Sequence, residues 1–216
     1  MGPVCYIFGA MDPGGFNLEK KPGDLLIAAD GGYAYLEKAG FIPDLAIGDF
    51  DSLGAPPEAE HVICFPPEKD YTDLDLAIRE GKRRGFRIFC IYGALGGRLD
   101  HTIANIQLLA ALAQEGSRGY LLGGGQAVTV LEKGELCFTT RGGGYFSAFA
   151  FGGPAGGVDE QGLKYTLTDG SLEVSFPLGV SNEFCGREAC VSVREGKLLL
   201  IWDQDAAQFD PHRQVI

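Results

Sequence analysis

Two aspartates, Asp49 and Asp51, flank one phenylalanine in "AIGDFDSLG" (46–54), directly after an apolar run. Carboxylates this close repel one another, so the pair calls for a cation to neutralise it. If the segment is extended, alternation puts both carboxylates on one side and turns Phe50 into the domain. Other acids occupy comparable places: Asp30 in "AADGG", Asp70, Asp73 and Asp75 in "PEKDYTDLD", and Asp100 in "GALGGRLDH". Such a set suits a hard cation with oxygen ligands, and Mg2+ usually binds through one or two carboxylates plus substrate phosphates. Lys69, Arg98 and His101 lie among the acids and can hold phosphate oxygens, the planar fork of arginine best of all. Gly31 and Gly93, with Gly96 and Gly97, let backbone N–H groups approach an anion. The chemistry indicated is that of a metal–nucleotide phosphate site.

Each residue also has a plainer explanation. Thr72 with Asp75 has the spacing of a capping box, and Asp73 and Asp75 would complement a helix dipole. Asp100 could serve as an N-cap, and His101 alone is more often structural than catalytic. Isolated DxD and Gly-Gly pairs arise by chance. Caps do not readily explain a set repeated at four places along the chain.

The elements that must position these residues are short apolar runs at 4–10, 24–30, 44–49, 61–66, 87–93 and 119–124. They are apolar throughout, as strands covered on both faces are. "GGYAYLEKAG", "TDLDLAIREGKRRG" and "DHTIANIQLLAALAQEG" separate them. The second places Leu74, Ala77, Ile78 and Gly81 at helical spacing and stops at Gly85; the third places Ile103, Ile106, Leu109, Ala110 and Ala113 on one face. Strand–helix alternation predicts a parallel sheet, and ligands bind outside the carboxyl ends of such strands. The four polar clusters each follow a strand, so they should meet along one edge. After residue 124 glycine becomes frequent and helical periodicity ends. Asp169-Gly170 and Glu195-Gly196 interrupt strand-like runs as hairpin turns would. The expected fold is α/β: an N-terminal open, mostly parallel sheet with flanking helices (1–124) and a C-terminal all-β sandwich domain (125–216).

The chain has 216 residues and a net charge of -11, which disfavours nucleic acid and anionic membranes as partners. No apolar run approaches a membrane span, and the N-terminus has no signal-peptide pattern. The six cysteines include no CxxC, and Cys5, Cys64 and Cys90 sit in apolar runs as buried thiols do. A cytoplasmic protein is expected. P-loop, GxGxxG, GxSxG and HExxH motifs are absent.

"DFDS" (49–52), "KDYTDLDLAI" (69–78), "GALGGRLDHTIANI" (93–106), "GLKYTL" (162–167) and "GVSNEF" (179–184) together resemble the bacterial thiamine pyrophosphokinase family. Their order and approximate spacing also match. Thr166 stands where that family usually has proline. The resemblance implies transfer of pyrophosphate from ATP to thiamine with release of AMP, dependence on Mg2+, and a homodimer. It assigns Asp49, Asp51, Asp73 and Asp100 to the metal site and to catalysis. ATP would meet Asp30, Gly31, Lys69, Asp70, Thr72, Gly93, Arg98 and His101. Ser181 and Asn182 would bind the aminopyrimidine of thiamine, and Trp202 would either stack on a ring or fill the sandwich core. Two other enzymes share parts of this chemistry: a pyrophosphokinase acting on a hydroxymethylpterin, and a DxD phosphohydrolase with Asp49 as nucleophile.

Overall fold

The computed structural model describes residues 2–16, 18–50, 57–66 and 70–211. Asp51 and Lys69 lie outside these ranges. The first half consists of β1 (Val4–Phe8), β2 (Leu25–Ala29), α1 (Gly32–Lys38), β3 (Leu45–Gly48), β4 (His61–Cys64), α2 (Asp73–Arg83), β5 (Ile88–Tyr92), α3 (Leu99–Gln114) and β6 (Arg118–Gly123). Six strands run parallel in the order β4-β3-β2-β1-β5-β6. Strands β1, β2 and β3 are buried at every position, as uninterrupted apolar runs require when both faces are covered. Successive residues feed two cores. Tyr6 and Phe8 join Tyr33 and Leu36 of α1 on one face, while Cys5 and Ile7 join Ala77 and Ile78 of α2 and Leu109 and Leu112 of α3 on the other.

The run 61–66 departs from expectation. Among the described residues strand β4 pairs only with β3, and Val62 and Cys64 are exposed. An edge strand lacks the covering that a central one has. Cys5 and Cys90 are buried thiols, as read, and burial pushes both well above the ordinary thiol pKa.

Helix α2 follows its pattern closely. The Thr72 hydroxyl accepts from the Asp75 N–H (3.2 Å), Leu74, Ala77, Ile78 and Gly81 are buried, and the chain leaves the helix through Gly85. Its solvent side is laced by Glu80, which accepts from Arg83 (2.7 Å) and Arg84 (2.8 Å) and is held down to a pKa of about 2 chiefly by the Arg83 hydrogen bond. The folded pKa lies below the unfolded one, so this contribution is complete above the ordinary glutamate range and is lost as pH falls toward 2. Glu80→Gln is therefore expected to cost about 1 kcal/mol near neutral pH and almost nothing at the acid end of that window. Urea unfolding of both proteins across the window checks it; an equal cost at both ends would refute the linkage.

Helix α3 differs from its pattern in the first turn. Its N-cap is Arg98, so Asp100 lies inside the helix and is not the cap. Leu109 is buried, Ile106, Ala110 and Ala113 pack partly, but Ile103 is 50 % exposed. Leu99 in the first turn is 71 % exposed as well, so the N-terminal end of α3 is less covered than its middle, where Leu109 and Leu112 are buried.

Beyond the Gly124–Gly125 turn come β7 (Gln126–Arg141), β8 (Tyr145–Ala150), β9 (Ala155–Gln161), β10 (Leu167–Leu172), β11 (Asn182–Glu183) and β12 (Arg187–Asp203), all paired antiparallel. Strand β7 hydrogen-bonds β6, so the sheet continues from one half into the other. Strand β12 pairs β7 along its length, β9 on its first half and β8 on its second. The two expected hairpins are not hairpins. Asp169-Gly170 lies within β10 and Glu195-Gly196 within β12, both at irregularities of register. Asp169 (φ 49°) and Gly196 (φ 78°) do adopt the left-handed conformation that such pairs signal, but it is used in bulges that bend a continuous strand. Among the described residues no helix is long and apolar enough to cross a membrane.

Candidate active site

The chain order reverses at β1, whose neighbours are β2 and β5, so the crevice of this sheet opens at the carboxyl ends of these strands. Gly93 closes β5 there with φ 64°, and a Cβ on it would lie 2.5 Å from the Met11 carbonyl oxygen and 2.6 Å from that of Gly9. Only glycine lets the two loops approach so closely. Gly32 does the same for α1, since a Cβ would fall 1.9 Å from the Phe8 carbonyl oxygen.

The acids are placed around this edge. Asp30 ends β2 with φ 48° and donates its backbone N–H to Ile47 (2.7 Å), which sets it beside the end of β3. Asp49 follows β3 and is half-buried, while Phe50 packs into the core with 8 % exposure; the ring faces inward as expected, but the backbone there makes a left-handed turn (φ 56°) and is not the extended segment the alternation assumed. Asp70, Thr72 and Asp73 lie at the N-terminus of α2, with Asp73 in its first turn and half-buried. Asp75 is engaged by Arg79 (2.9 Å) as well as by the Thr72 cap, so it is a helix-stabilising residue. The Arg98 guanidinium grips both oxygens of Asp100 (3.1 and 2.6 Å), and the His101 N–H donates to the same carboxylate (3.0 Å). The arginine hydrogen bond, first of several causes, holds Asp100 down to about 2, so it is ionised throughout the neutral range. Asn105, buried in α3, donates to the Ala94 carbonyl (2.8 Å) and fixes the glycine loop above the helix.

Among the described residues, no three of these aspartates bring oxygens within 4.8 Å of one another. They form a rim and not a closed cage. Their chemistry fits Mg2+, since every donor is a hard oxygen. A rim also fits an ion that takes one or two carboxylates and completes its shell with phosphates and water.

The second region is a pocket of about 310 Å3 in the β-rich half, lined by Glu160, Tyr165, Leu167, Leu178, Val180 and Asn182. Asn182 is buried and fully used. Its amide donates to Glu160 Oε2 (2.7 Å) and the Tyr165 carbonyl (2.7 Å), and its oxygen accepts from the N–H groups of Tyr165 (3.0 Å) and Glu183 (2.9 Å). Two donors and two acceptor sites are all that an asparagine has. Asn182 therefore builds the pocket, and the expectation that it bonds the aminopyrimidine directly is corrected. Ser181 (φ 59°) is exposed beside it and donates its N–H to Ser147 Oγ (3.1 Å). Trp202 is 1 % exposed, edge-on to Phe138 (5.2 Å) and Tyr120 (6.4 Å), with Nε1 directed at Gln204 (3.4 Å). No ring face is open to a ligand, so of its two readings the core role holds.

Two residues here escaped the sequence reading. Tyr165 sits in the quoted "GLKYTL" run and is 62 % exposed, which an unexplained aromatic beside a glycine turn could have signalled. Glu160 had no signal: it lies in "GVDEQG", and only the fold buries it, which raises its pKa against the opposing Asn182 hydrogen bond.

Together the two regions define a class of protein, one in which an acidic, glycine-rich sheet edge suited to a polyphosphate is joined to a β-rich half with a small apolar and aromatic pocket. Comparison with known proteins specifies the class. Residues 16–121 match the catalytic domain of thiamin pyrophosphokinase, and residues 135–198 match its vitamin B1 binding domain. A thiamine pyrophosphokinase of Bacillus subtilis is 32 % identical over 192 residues, covering 84 % of this chain and 88 % of the relative. The crystal structure of thiamine pyrophosphokinase from Bacillus subtilis superposes with a TM-score of 0.84 at 28 % identity, over 94 % of this chain and 99 % of that one. That of thiamin pyrophosphokinase from Geobacillus thermodenitrificans gives 0.81 at 27 % identity, over 95 % and 100 %. The chain belongs to the thiamin pyrophosphokinase family.

Proposed function

We propose that this protein transfers the pyrophosphoryl group of ATP to the hydroxyl of thiamine, giving thiamine diphosphate and AMP, in an Mg2+-dependent reaction. The observation that carries this reading is the pairing of an acidic sheet edge with a ring-sized pocket that has Tyr165 and Glu160 in its wall. Thiamine is a cation with two small aromatic rings, and a tyrosine face beside a buried carboxylate suits both properties.

Asp49, Asp51, Asp73 and Asp100 would hold Mg2+, directly or through water, with Asp30 and Asp70 in support. Mg2+ bound with ATP would neutralise charge on the phosphate oxygens. Arg98, His101 and Lys69 orient the triphosphate, and the loop beginning at Gly93 offers backbone N–H groups to it. Arg98 holds Asp100 in the protein described here, so binding ATP exchanges one anionic partner of the guanidinium for another. An edge carboxylate accepts the hydroxyl proton as the thiamine oxygen attacks the β-phosphorus and AMP leaves. Positioning and charge stabilisation supply most of the acceleration in such transfers.

The enzyme is proposed to work as a cytoplasmic homodimer. Supporting the dimer, Val174 (61 %), Phe176 (63 %), Leu178 (56 %) and Val180 (50 %) expose apolar side chains in one segment, of which Leu178 and Val180 line the pocket, more than an isolated surface needs.

Incubation with ATP, Mg2+ and thiamine, followed by nucleotide chromatography, is expected to yield AMP in equal amount to thiamine diphosphate. ADP or free phosphate as the main product would overturn the assignment in favour of a hydrolase. Faster AMP release with a hydroxymethylpterin than with thiamine would reassign the acceptor.

A further inference from the structure

One pair of reactive groups lies outside both regions. Cys137 in β7 and Cys190 in β12 are direct cross-strand partners with Cα atoms 4.1 Å apart, and they are joined as a disulfide. They point to the outer face, where each is half-exposed, and an oxygen of exposed Glu135 lies within 4.8 Å of the two sulfurs. Cys137 also lines an open cavity of about 400 Å3, together with Thr139 and the Arg141 side chain. The half-exposed sulfurs are open to a small-molecule disulfide from this side.

We propose that Cys137 and Cys190 form a reversible thiol–disulfide site, closed by exchange with a small-molecule disulfide, that fixes the register of β7 against β12. In closing, one protein thiolate attacks the small disulfide, forms a mixed disulfide and expels one small thiolate. The other protein thiolate then attacks the protein sulfur of that mixed disulfide and expels the second. Two electrons pass from the protein to the small disulfide, and the two protons of the protein thiols end on the two expelled thiols.

The place of the pair gives the bond its effect. Ala189–Val193 of β12 pairs with Phe138–Gly134 of β7, and this run is bounded by register irregularities at Arg187/Ala189 and at Val193/Lys197. The pairing beyond each irregularity does not dictate the register between them. A slip of one residue would turn either Leu136 and Phe138 of β7 or Val191 and Val193 of β12 out of the core. Phe138 packs on Phe184 (5.2 Å), two residues beyond Asn182, so the register here also supports the segment that builds the pocket. A bond between opposed residues holds this one run directly. It also closes a loop over a sequence separation of 53, which restricts the unfolded chain.

The test uses the full-length protein equilibrated with reduced or oxidised glutathione, quenched in acid, alkylated in denaturant and weighed intact. Six alkylated cysteines are expected in the reduced state and four in the oxidised state, with the Cys137 and Cys190 peptides linked and dithiothreitol restoring six. Reduction should lower the thermal midpoint by roughly 5–15 °C. The shift should vanish in Cys137→Ser and in Cys190→Ser and persist in Cys185→Ser. Six reactive thiols in the oxidised state, a link that involves Cys185, a bond that reduced glutathione cannot open, or equal midpoints in the two states would each overturn the proposal. No readout uses thiamine or ATP, so a negative result leaves the assigned reaction standing.

Discussion

Asp49→Asn is expected to lower the turnover of pyrophosphoryl transfer by at least about a hundredfold while shifting the thermal midpoint by no more than a few degrees. The substitution keeps shape and removes one charge. Asp49 is half-buried at the end of β3, and the chain beside it is anchored by the left-handed turn at Phe50 and the burial of that ring. The loss should therefore appear in chemistry and metal use. The Mg2+ concentration for half-maximal activity should rise, and excess Mg2+ should restore only part of the rate. Asp75→Asn is the contrast. The Asp75 carboxylate serves the Arg79 ion pair, while the Thr72 cap is bound by the Asp75 backbone N–H, which asparagine keeps, so the substitution is expected to cost a few tenths of a kcal/mol and leave turnover near wild type. Steady-state kinetics over a range of Mg2+, with differential scanning calorimetry beside them, separate the two. Wild-type turnover of Asp49→Asn at saturating Mg2+ would remove Asp49 from the metal site.

Trp202→Ala is expected to destabilise the protein by about 3–5 kcal/mol, the cost of emptying a fully buried aromatic site. For a chain of this size that corresponds to a fall in thermal midpoint of roughly 6–20 °C. Trp202 is enclosed by Tyr120 and Phe138, and Phe138 in turn packs on Phe146 and Phe184. The cavity would open at the centre of that cluster, among rings held by strands β6, β7 and β8. At a temperature where the variant is still folded, its KM for thiamine should stay within about twofold of wild type. Tyr165→Ala should do the reverse, with a raised KM for thiamine, an unchanged KM for ATP and little loss of stability, because the Tyr165 ring is exposed while only its backbone joins the Asn182 network. A thiamine-specific KM defect in Trp202→Ala would return the tryptophan to the substrate site.

The sequence by itself determined the parallel half of the fold and the edge on which its polar residues gather. Strands β1, β2, β3 and β5 are apolar at nearly every position, α2 has a capped start, a periodic face and a glycine stop, and each polar cluster directly follows an apolar run. These signals are local, because burial on two faces, helical periodicity and capping each act over a few residues. Five short motifs in order also identified the family. Only the tertiary structure decided the rest. Whether a left-handed pair such as Asp169-Gly170 ends a strand or bends it depends on the partner strand, here β9. Whether Trp202 faces a ligand or the core depends on strands that arrive from residues 120, 138 and 146. Asn182 reads as a substrate contact until Glu160 and Tyr165, distant along the chain, are seen to saturate it. The opposition of Cys137 to Cys190 across a sequence separation of 53 likewise belongs to a register of β7 against β12 that no local pattern encodes. Contacts between residues far apart in sequence are fixed by packing the whole sheet, which is why the polar sheet edge was legible in the sequence and the pocket was not.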